Sequence, residues 1–168
     1  MNRINFGIWG YGRMGAVHGK YYSMEQDRVK LVAACDTNEA RLENAKTEYQ
    51  AAVYTDANAF LADPNMELVV ISTLSLDHTR HAVQALESGK YVLLDKPIAI
   101  TDGELETLRK ADKQYPGKLF VLHNLRFEPG FMEVQKIIAS GVLGEINMIK
   151  LPRIPRDAAI RVLSASCY

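Results

Sequence analysis

The feature that most constrains this chain is Gly10-Tyr11-Gly12-Arg13-Met14-Gly15. It follows the apolar run Ile4–Trp9 directly and opens a helical stretch, Arg13–Met24. In a strand that turns into a helix through this pattern, the first glycine permits the tight turn. The second lets the backbone approach a pyrophosphate with which a Cβ would collide, and the third allows close helix–strand packing. The helix N-terminus adds free N–H groups and a partial positive charge. Alone, such a pattern also suits an ordinary strand-to-helix turn. A second test is an acid about 20 residues on, at the end of the next strand. Asp36 closes the run Val29–Cys35, 21 residues after Gly15. The sequence thus predicts a dinucleotide site built from Gly10, Tyr11, Gly12, Arg13, Met14 and Asp36. A carboxylate at Asp36 accepts hydrogen bonds from the ribose hydroxyls and repels a 2′-phosphate. Thr37-Asn38 supply no offsetting cation, so NAD(H) is expected over NADP(H). Arg41, one turn into the next helix, reads as a solvated arginine, with a 2′-phosphate or adenine within its reach.

Strand and helix patterns alternate along the chain. Apolar runs at Ile4–Trp9, Val29–Cys35, Ala52–Tyr54, Leu68–Ser72, Tyr91–Leu94 and Leu119–Leu122 read as strands. Glu39–Tyr49, Asn58–Leu61, Leu76–Ser88, the segment opened by Thr101 and Glu104, and Phe131–Ser140 read as helices. Thr37 and Asn38 are cap candidates, Thr101 with Glu104 makes a capping box, and Gly89 stops a helix. This alternation predicts an α/β fold, a doubly wound parallel (Rossmann) sheet with helices on both faces. The early strands are continuous apolar runs, as suits strands buried on both sides. Ile146–Leu151 is a last strand candidate. The expected divisions are 1–122, the NAD-binding domain; 123–151, a connecting segment with the first strand of a further domain; and 152–168, an atypical tail.

Composition narrows the partners. The 168 residues carry 20 basic and 20 acidic side chains, with 48% hydrophobic and 24% charged residues. This is close to the globular average and excludes a mostly disordered chain. From Lys150 onward, four basic residues stand against Asp157, leaving 16 basic and 19 acidic in the first 149. No global field draws nucleic acid or an anionic membrane. Cys35 and Cys167 do not form a disulfide framework, and Cys35 reads as a buried small hydrophobe. No stretch approaches the roughly 18 apolar residues of a membrane span. A cytoplasmic protein is expected.

In open parallel sheets, ligands lie beyond the carboxyl ends of the strands. Those ends read Ser72-Thr73-Leu74-Ser75, Asp95-Lys96-Pro97 and His123-Asn124-Leu125-Arg126. Lys96 is the catalytic candidate. A lysine at a strand end can hydrogen-bond a substrate hydroxyl and favour loss of its proton as hydride leaves the same carbon. The plainer reading is an exposed loop lysine. His78 and His81 stand three apart beside Asp77, but a polar helix N-terminus accounts for them and no metal is expected.

These residues together resemble the glucose–fructose oxidoreductase, inositol dehydrogenase and rhizopine-catabolism family of NAD(P)-dependent oxidoreductases. The resemblance runs from Ile4 to about Leu151. It covers the glycine cradle, Asp36, His78 through Leu86, Gly89-Lys90-Tyr91-Val92, Asp95-Lys96-Pro97, Asn124-Leu125-Arg126-Phe127-Glu128-Pro129 and Gly141 through Ile146. It implies a polyol or sugar dehydrogenase of the inositol 2-dehydrogenase kind. Lys96 would lie beside nicotinamide and substrate, with Thr73, Leu74, His78, Asp95, Lys96 and Asn124 joining the cofactor site and Arg126 near it. Asp95 stands where the family has glutamate, and Leu74-Ser75 where it has Pro-Asn.

The resemblance also implies a further α+β domain with an Asp-x-x-x-His motif whose histidine moves the proton. No histidine follows His123, so a truncated form with crippled turnover is expected, since general base catalysis contributes about 10²–10⁴-fold. The alternative is a catalytically inactive NAD(H)-binding protein. A methyl-donor-binding transferase is disfavoured by Asp95-Lys96-Pro97 and the full cradle. An apolar surface exposed at that domain interface predicts self-association, or a tail that folds back over it.

Overall fold

The computed structural model describes residues 3–25 and 27–149. The expected tail 152–168, including Cys167, lies outside them. The chain divides into two compact units, Met1–Asn124 and Leu125–Tyr168.

The first unit is a six-stranded parallel sheet. Its strands are β1 (Ile4–Trp9), β2 (Val29–Cys35), β3 (Ala52–Tyr54), β4 (Leu68–Ile71), β5 (Tyr91–Leu94) and β6 (Leu119–Val121), in the order β3-β2-β1-β4-β5-β6. The connecting helices are α1 (Arg13–Tyr22), α2 (Glu39–Tyr49), α3 (Ala57–Leu61), α4 (His78–Glu87) and α5 (Asp102–Gln114). Strand order reverses between β1 and β4, where Trp9 pairs with Cys35 on one side and Ile71 on the other. This is the doubly wound fold expected from the alternation, and it places a crevice at the carboxyl end of β1.

Two apolar layers hold the sheet. Phe6, Ile8, Leu31 and Val70 pack with Tyr11, Leu42 and Ala45 on one face. Trp9, Val69, Ile71 and Leu94 pack with Phe60, Leu86, Leu108 and Ala111 on the other. Burying each large side chain is worth about 1.5–3 kcal/mol. Gly7 belongs to β1 because a Cβ there would collide with Met66 and reach within 2.8 Å of the Phe60 ring.

Local signals set the helix ends. Asn38 Oδ1 accepts the Ala40 N–H at 3.0 Å and Asp56 Oδ1 that of Ala59 at 2.8 Å. Both halves of the Thr101–Glu104 capping box are present, and Gly89 takes a φ of +86° after α4. The expected helices Arg13–Met24 and Leu76–Ser88 are shorter. Ser23–Glu25 and Ser75–Asp77 are 3₁₀ turns, a common way to tighten helix ends.

In the second unit, Pro129 opens α6 (Pro129–Ala139), its missing N–H costing nothing at that position. Val134, Ile137, Ile138, Leu143 and Ile146 line an apolar groove of about 270 Å³. Ile146–Ile149, the described part of the expected last strand, is not a strand. An apolar run becomes a strand only with a ladder partner, and none of the sheet's pairings involves these residues.

Candidate functional site

A cleft of about 810 Å³ opens at the carboxyl ends of the central strands, lined by the cradle, the β2–α2 and β3–α3 connections, Ser72–Leu74 and one side of α4. The three cradle glycines are needed for different reasons. Gly10 has a φ of +90°, and a Cβ on it would come within 2.7 Å of the Ser72 and Thr73 backbone. A Cβ on Gly15 would strike the Gly10 carbonyl oxygen. Gly12 has an ordinary φ of −75° as the N-cap of α1, and its Cβ would meet just Arg41 Nη1, at 3.8 Å. Protein packing explains Gly10 and Gly15. It does not explain Gly12, whose missing side chain leaves open space before the leading amides of α1, which lack intrahelical partners. Those amides and that space fit a pyrophosphate. Ser72, beside the cleft, has its Oγ buried without a hydrogen-bond partner among the described residues.

Asp36 is 7% exposed. Its Oδ1 accepts the Asn38 N–H at 2.9 Å and lies 3.5 Å from Arg41 Nη1. Oδ2 has no hydrogen bond among the described residues and is available to a ribose hydroxyl. Arg41 thus pairs with Asp36 at the cleft edge, with its side chain 54% exposed. Beneath them, burial first, then Asp36 and Asp56, push the Cys35 thiol up to about 12.

Trp9 forms part of the cleft floor and stacks on His81, ring centroids 4.0 Å apart. His81 Nδ1 lies 2.9 Å from Thr73 Oγ1. Burial, with Arg80 adding to it, lowers the imidazole to about 4.

The other expected residues are distributed unevenly. Gly10, Gly12, Arg13, Met14, Asp36, Thr73 and Leu74 line the cleft. Tyr11, expected in the site, does not line the cleft; its side chain is buried in the layer between α1, α2 and the sheet. His78 is 2% exposed, its Nδ1 2.7 Å from the Pro97 carbonyl oxygen and its Nε2 3.1 Å from that of Thr73. It cross-links the two loops instead of facing the cleft. Asp95 Oδ1 accepts the Lys96 N–H at 2.8 Å, and Asp95 Oδ2 lies 3.2 Å from His18 Nε2. Lys96 stands exposed at the end of β5, and Asn124 ends the first unit beyond β6. Arg126 lies in the second unit. Sequence reasoning passed over His18 and Trp9; for His18, its place one turn beyond Gly15 on the inward side of α1 was the available signal.

The family model described as an oxidoreductase family with an NAD-binding Rossmann fold matches residues 4–123. A scyllo-inositol 2-dehydrogenase (NADP(+)) of Bacillus subtilis is 31% identical over 149 residues, covering 88% of this chain and 40% of its own length. An inositol 2-dehydrogenase of Rhizobium meliloti is 33% identical over 148 residues, with 88% and 44% covered. The crystal structure of a scyllo-inositol dehydrogenase from Lactobacillus casei, with bound NAD(H) and scyllo-inositol, superposes with a TM-score of 0.80 at 26% identity, over 86% of this chain and 43% of that one. The chain thus spans about two fifths of the length of the relatives it matches. With a cradle open at Gly12, an acid at the end of β2 and a family match over most of its length, this chain belongs to the oxidoreductase family with the NAD-binding Rossmann fold.

Proposed function

We propose that the chain is the cofactor-binding part of an NAD-dependent dehydrogenase acting on a cyclic polyol or sugar, of the inositol 2-dehydrogenase kind. The observation that carries this reading is the pairing of an open phosphate cradle at α1 with a lysine at the end of β5, on the same edge of one sheet. The relatives' names support the substrate class. They are inositol dehydrogenases, with one acting on a chlorinated dihydroxycyclohexadiene carboxylate, so secondary alcohols on six-membered rings are their shared chemistry.

Bound NAD supplies a hydride acceptor. The chain's own residues hold it and prepare the substrate. The α1 amides take the pyrophosphate, and Asp36 Oδ2 takes the ribose hydroxyls, which favours NAD(H) over NADP(H). Thr73, Leu74 and Asn124 border the nicotinamide half. The Lys96 ammonium hydrogen-bonds the substrate hydroxyl, and its charge favours loss of the hydroxyl proton. Asp95 and His78 hold the Lys96 loop through the bonds described above. The expected division at 122 is kept as a domain limit within this reading, two residues before the end of the first unit at Asn124, and the one at 151 lies outside the described residues. A homo-oligomer is the assembly expected within this reading, since exposed apolar surface favours association.

A second reading, NAD(H) binding without turnover, is favoured by one observation. His78, the imidazole bonded to the Pro97 carbonyl, has both ring nitrogens occupied by backbone carbonyl oxygens, so it does not stand free as a base. The two readings separate when the chain is mixed with NAD and a panel of inositols. NADH formation that Lys96→Met abolishes, with NADH binding retained, supports the first. Binding without any NADH formation supports the second.

A further inference from the structure

His78 opens α4, and its ring stands between two backbone carbonyls. Nδ1 lies 2.7 Å from the Pro97 oxygen, beyond β5, and Nε2 lies 3.1 Å from the Thr73 oxygen, beyond β4. The residue is 2% exposed, so neither nitrogen can turn to solvent instead. Neither carbonyl has another hydrogen bond among the described residues. A carbonyl oxygen accepts and cannot donate. In either neutral tautomer one ring nitrogen carries no proton, and its lone pair would face an oxygen lone pair at hydrogen-bond distance. Both contacts are hydrogen bonds when both nitrogens carry protons.

His81, three residues on in the same helix, shows the contrast. Its Nδ1 faces the Thr73 hydroxyl, which donates or accepts as required, so a neutral ring satisfies it. The partners of His78 leave no such choice.

A buried cation needs counter-charge, the more so at a helix N-terminus, where the dipole opposes it. Asp77 precedes His78 on its own helix, and Asp95 ends β5 two residues before Pro97. The Arg80 hydrogen bond chiefly holds the Asp77 carboxyl below its ordinary value. Against its own burial, Asp95 is held low by the His18 hydrogen bond and the Lys96 amide. The His78 charge acts on both carboxylates in the same direction. Among the cationic groups nearby, Arg80 is paired with Asp77, Lys96 stands exposed beside Pro97, and His18 of α1 reaches Asp95.

We propose that His78 is an imidazolium in the folded chain at neutral pH, whose two N–H groups clamp the Thr73 and Pro97 carbonyls, making it a positioning residue for the loops that carry Thr73-Leu74 and Lys96. That these loops serve a dehydrogenase rests on the function proposed above; the charge of the ring does not. Loss of one proton gives up one of the two bonds, so the clamp is a pH-sensitive contact between the loops.

The test is ring-nitrogen NMR of the full chain carrying isotope-labelled histidine, whose imidazoles are His18, His78, His81 and His123. His78→Gln identifies the His78 signals. Should that variant fail to fold, His18→Gln, His81→Phe and His123→Gln identify them by elimination. At about pH 7.5 a free imidazole is about nine-tenths neutral. His78 should then show two protonated nitrogens, with slowly exchanging N–H protons, and Asp77→Asn and Asp95→Asn should each lower the pH at which one is lost. In His78→Gln, which donates to one carbonyl at most, amide exchange in Ser72–Leu76 or Lys96–Thr101 should quicken about tenfold. One protonated and one bare nitrogen on His78 at that pH, or a proton loss indifferent to both Asn variants, overturns the imidazolium. Unchanged exchange in both segments overturns the positioning role. Either result leaves the dinucleotide reading as it stands, whereas a doubly protonated ring in a chain that binds no NADH keeps the clamp and overturns that reading.

Discussion

His18 Nε2 lies 3.2 Å from Asp95 Oδ2, so the helix that carries the phosphate cradle is tied to the strand end that carries Lys96. The His18 ring also stacks on Tyr22 at 5.5 Å, which in turn meets Phe6 edge-on. A contact spanning 77 residues of sequence therefore joins the two halves of the proposed site within one sheet.

This contact makes a pH prediction. Burial alone would raise the Asp95 carboxyl, but the His18 hydrogen bond, the Lys96 amide and the nearby His18 and His78 rings outweigh it and hold the group below its ordinary 3.8. The folded protein then holds this proton less tightly than the unfolded chain does. The stabilisation is fully present above the ordinary value and is lost as pH falls through the folded one. Urea unfolding of the unaltered chain and of Asp95→Asn, followed between about pH 5 and pH 3, should show the difference between them shrinking on acidification. A constant difference would contradict it.

Gly12 and Gly15 should separate binding from stability. Gly12→Ala places a methyl in open space, so stability should change by less than about 0.5 kcal/mol, while NADH affinity falls about tenfold or more. Gly15→Ala drives a methyl into the Gly10 carbonyl and should destabilise by about 3 kcal/mol. Thermal melts beside NADH titrations check both.

Cys35 should be inert although it lies beside the cleft. With its thiol pushed up to about 12, roughly one in 10⁴ is ionised at about pH 8. Peptide mapping after native alkylation should find Cys35 unmodified, and full modification after unfolding. Rapid native labelling at Cys35 would contradict the burial described.

Much of this was legible in the chain. Strands buried on both faces must be largely apolar, so Val29–Cys35 and Tyr91–Leu94 could be read directly despite exposed Lys30 and Tyr91 at their open ends, and Thr101 with Glu104 announced its helix through local bonds alone. The cradle was legible because each glycine answers a local steric demand. What escaped depends on distant neighbours. Gly7 is required by Met66 and Phe60, which the local pattern does not reveal. His78 and His81 share a helical spacing that suggests a common partner, yet one cross-links two loops and the other stacks on Trp9. Thr37-Asn38 supply no cation beside Asp36, but Arg41 folds back across Gly12 to do so. Ile146–Ile149 has a strand's composition without a neighbour to pair with among the described residues.

The central claim is that the open space at Gly12 and the free oxygen of Asp36 form one dinucleotide site. Calorimetric titration of the full chain with NADH and NADPH tests it most directly. The account predicts one NADH per chain, bound more tightly than NADPH and lost in Gly12→Ala. Tighter binding of NADPH, or NADH binding that Gly12→Ala leaves unchanged, would contradict it.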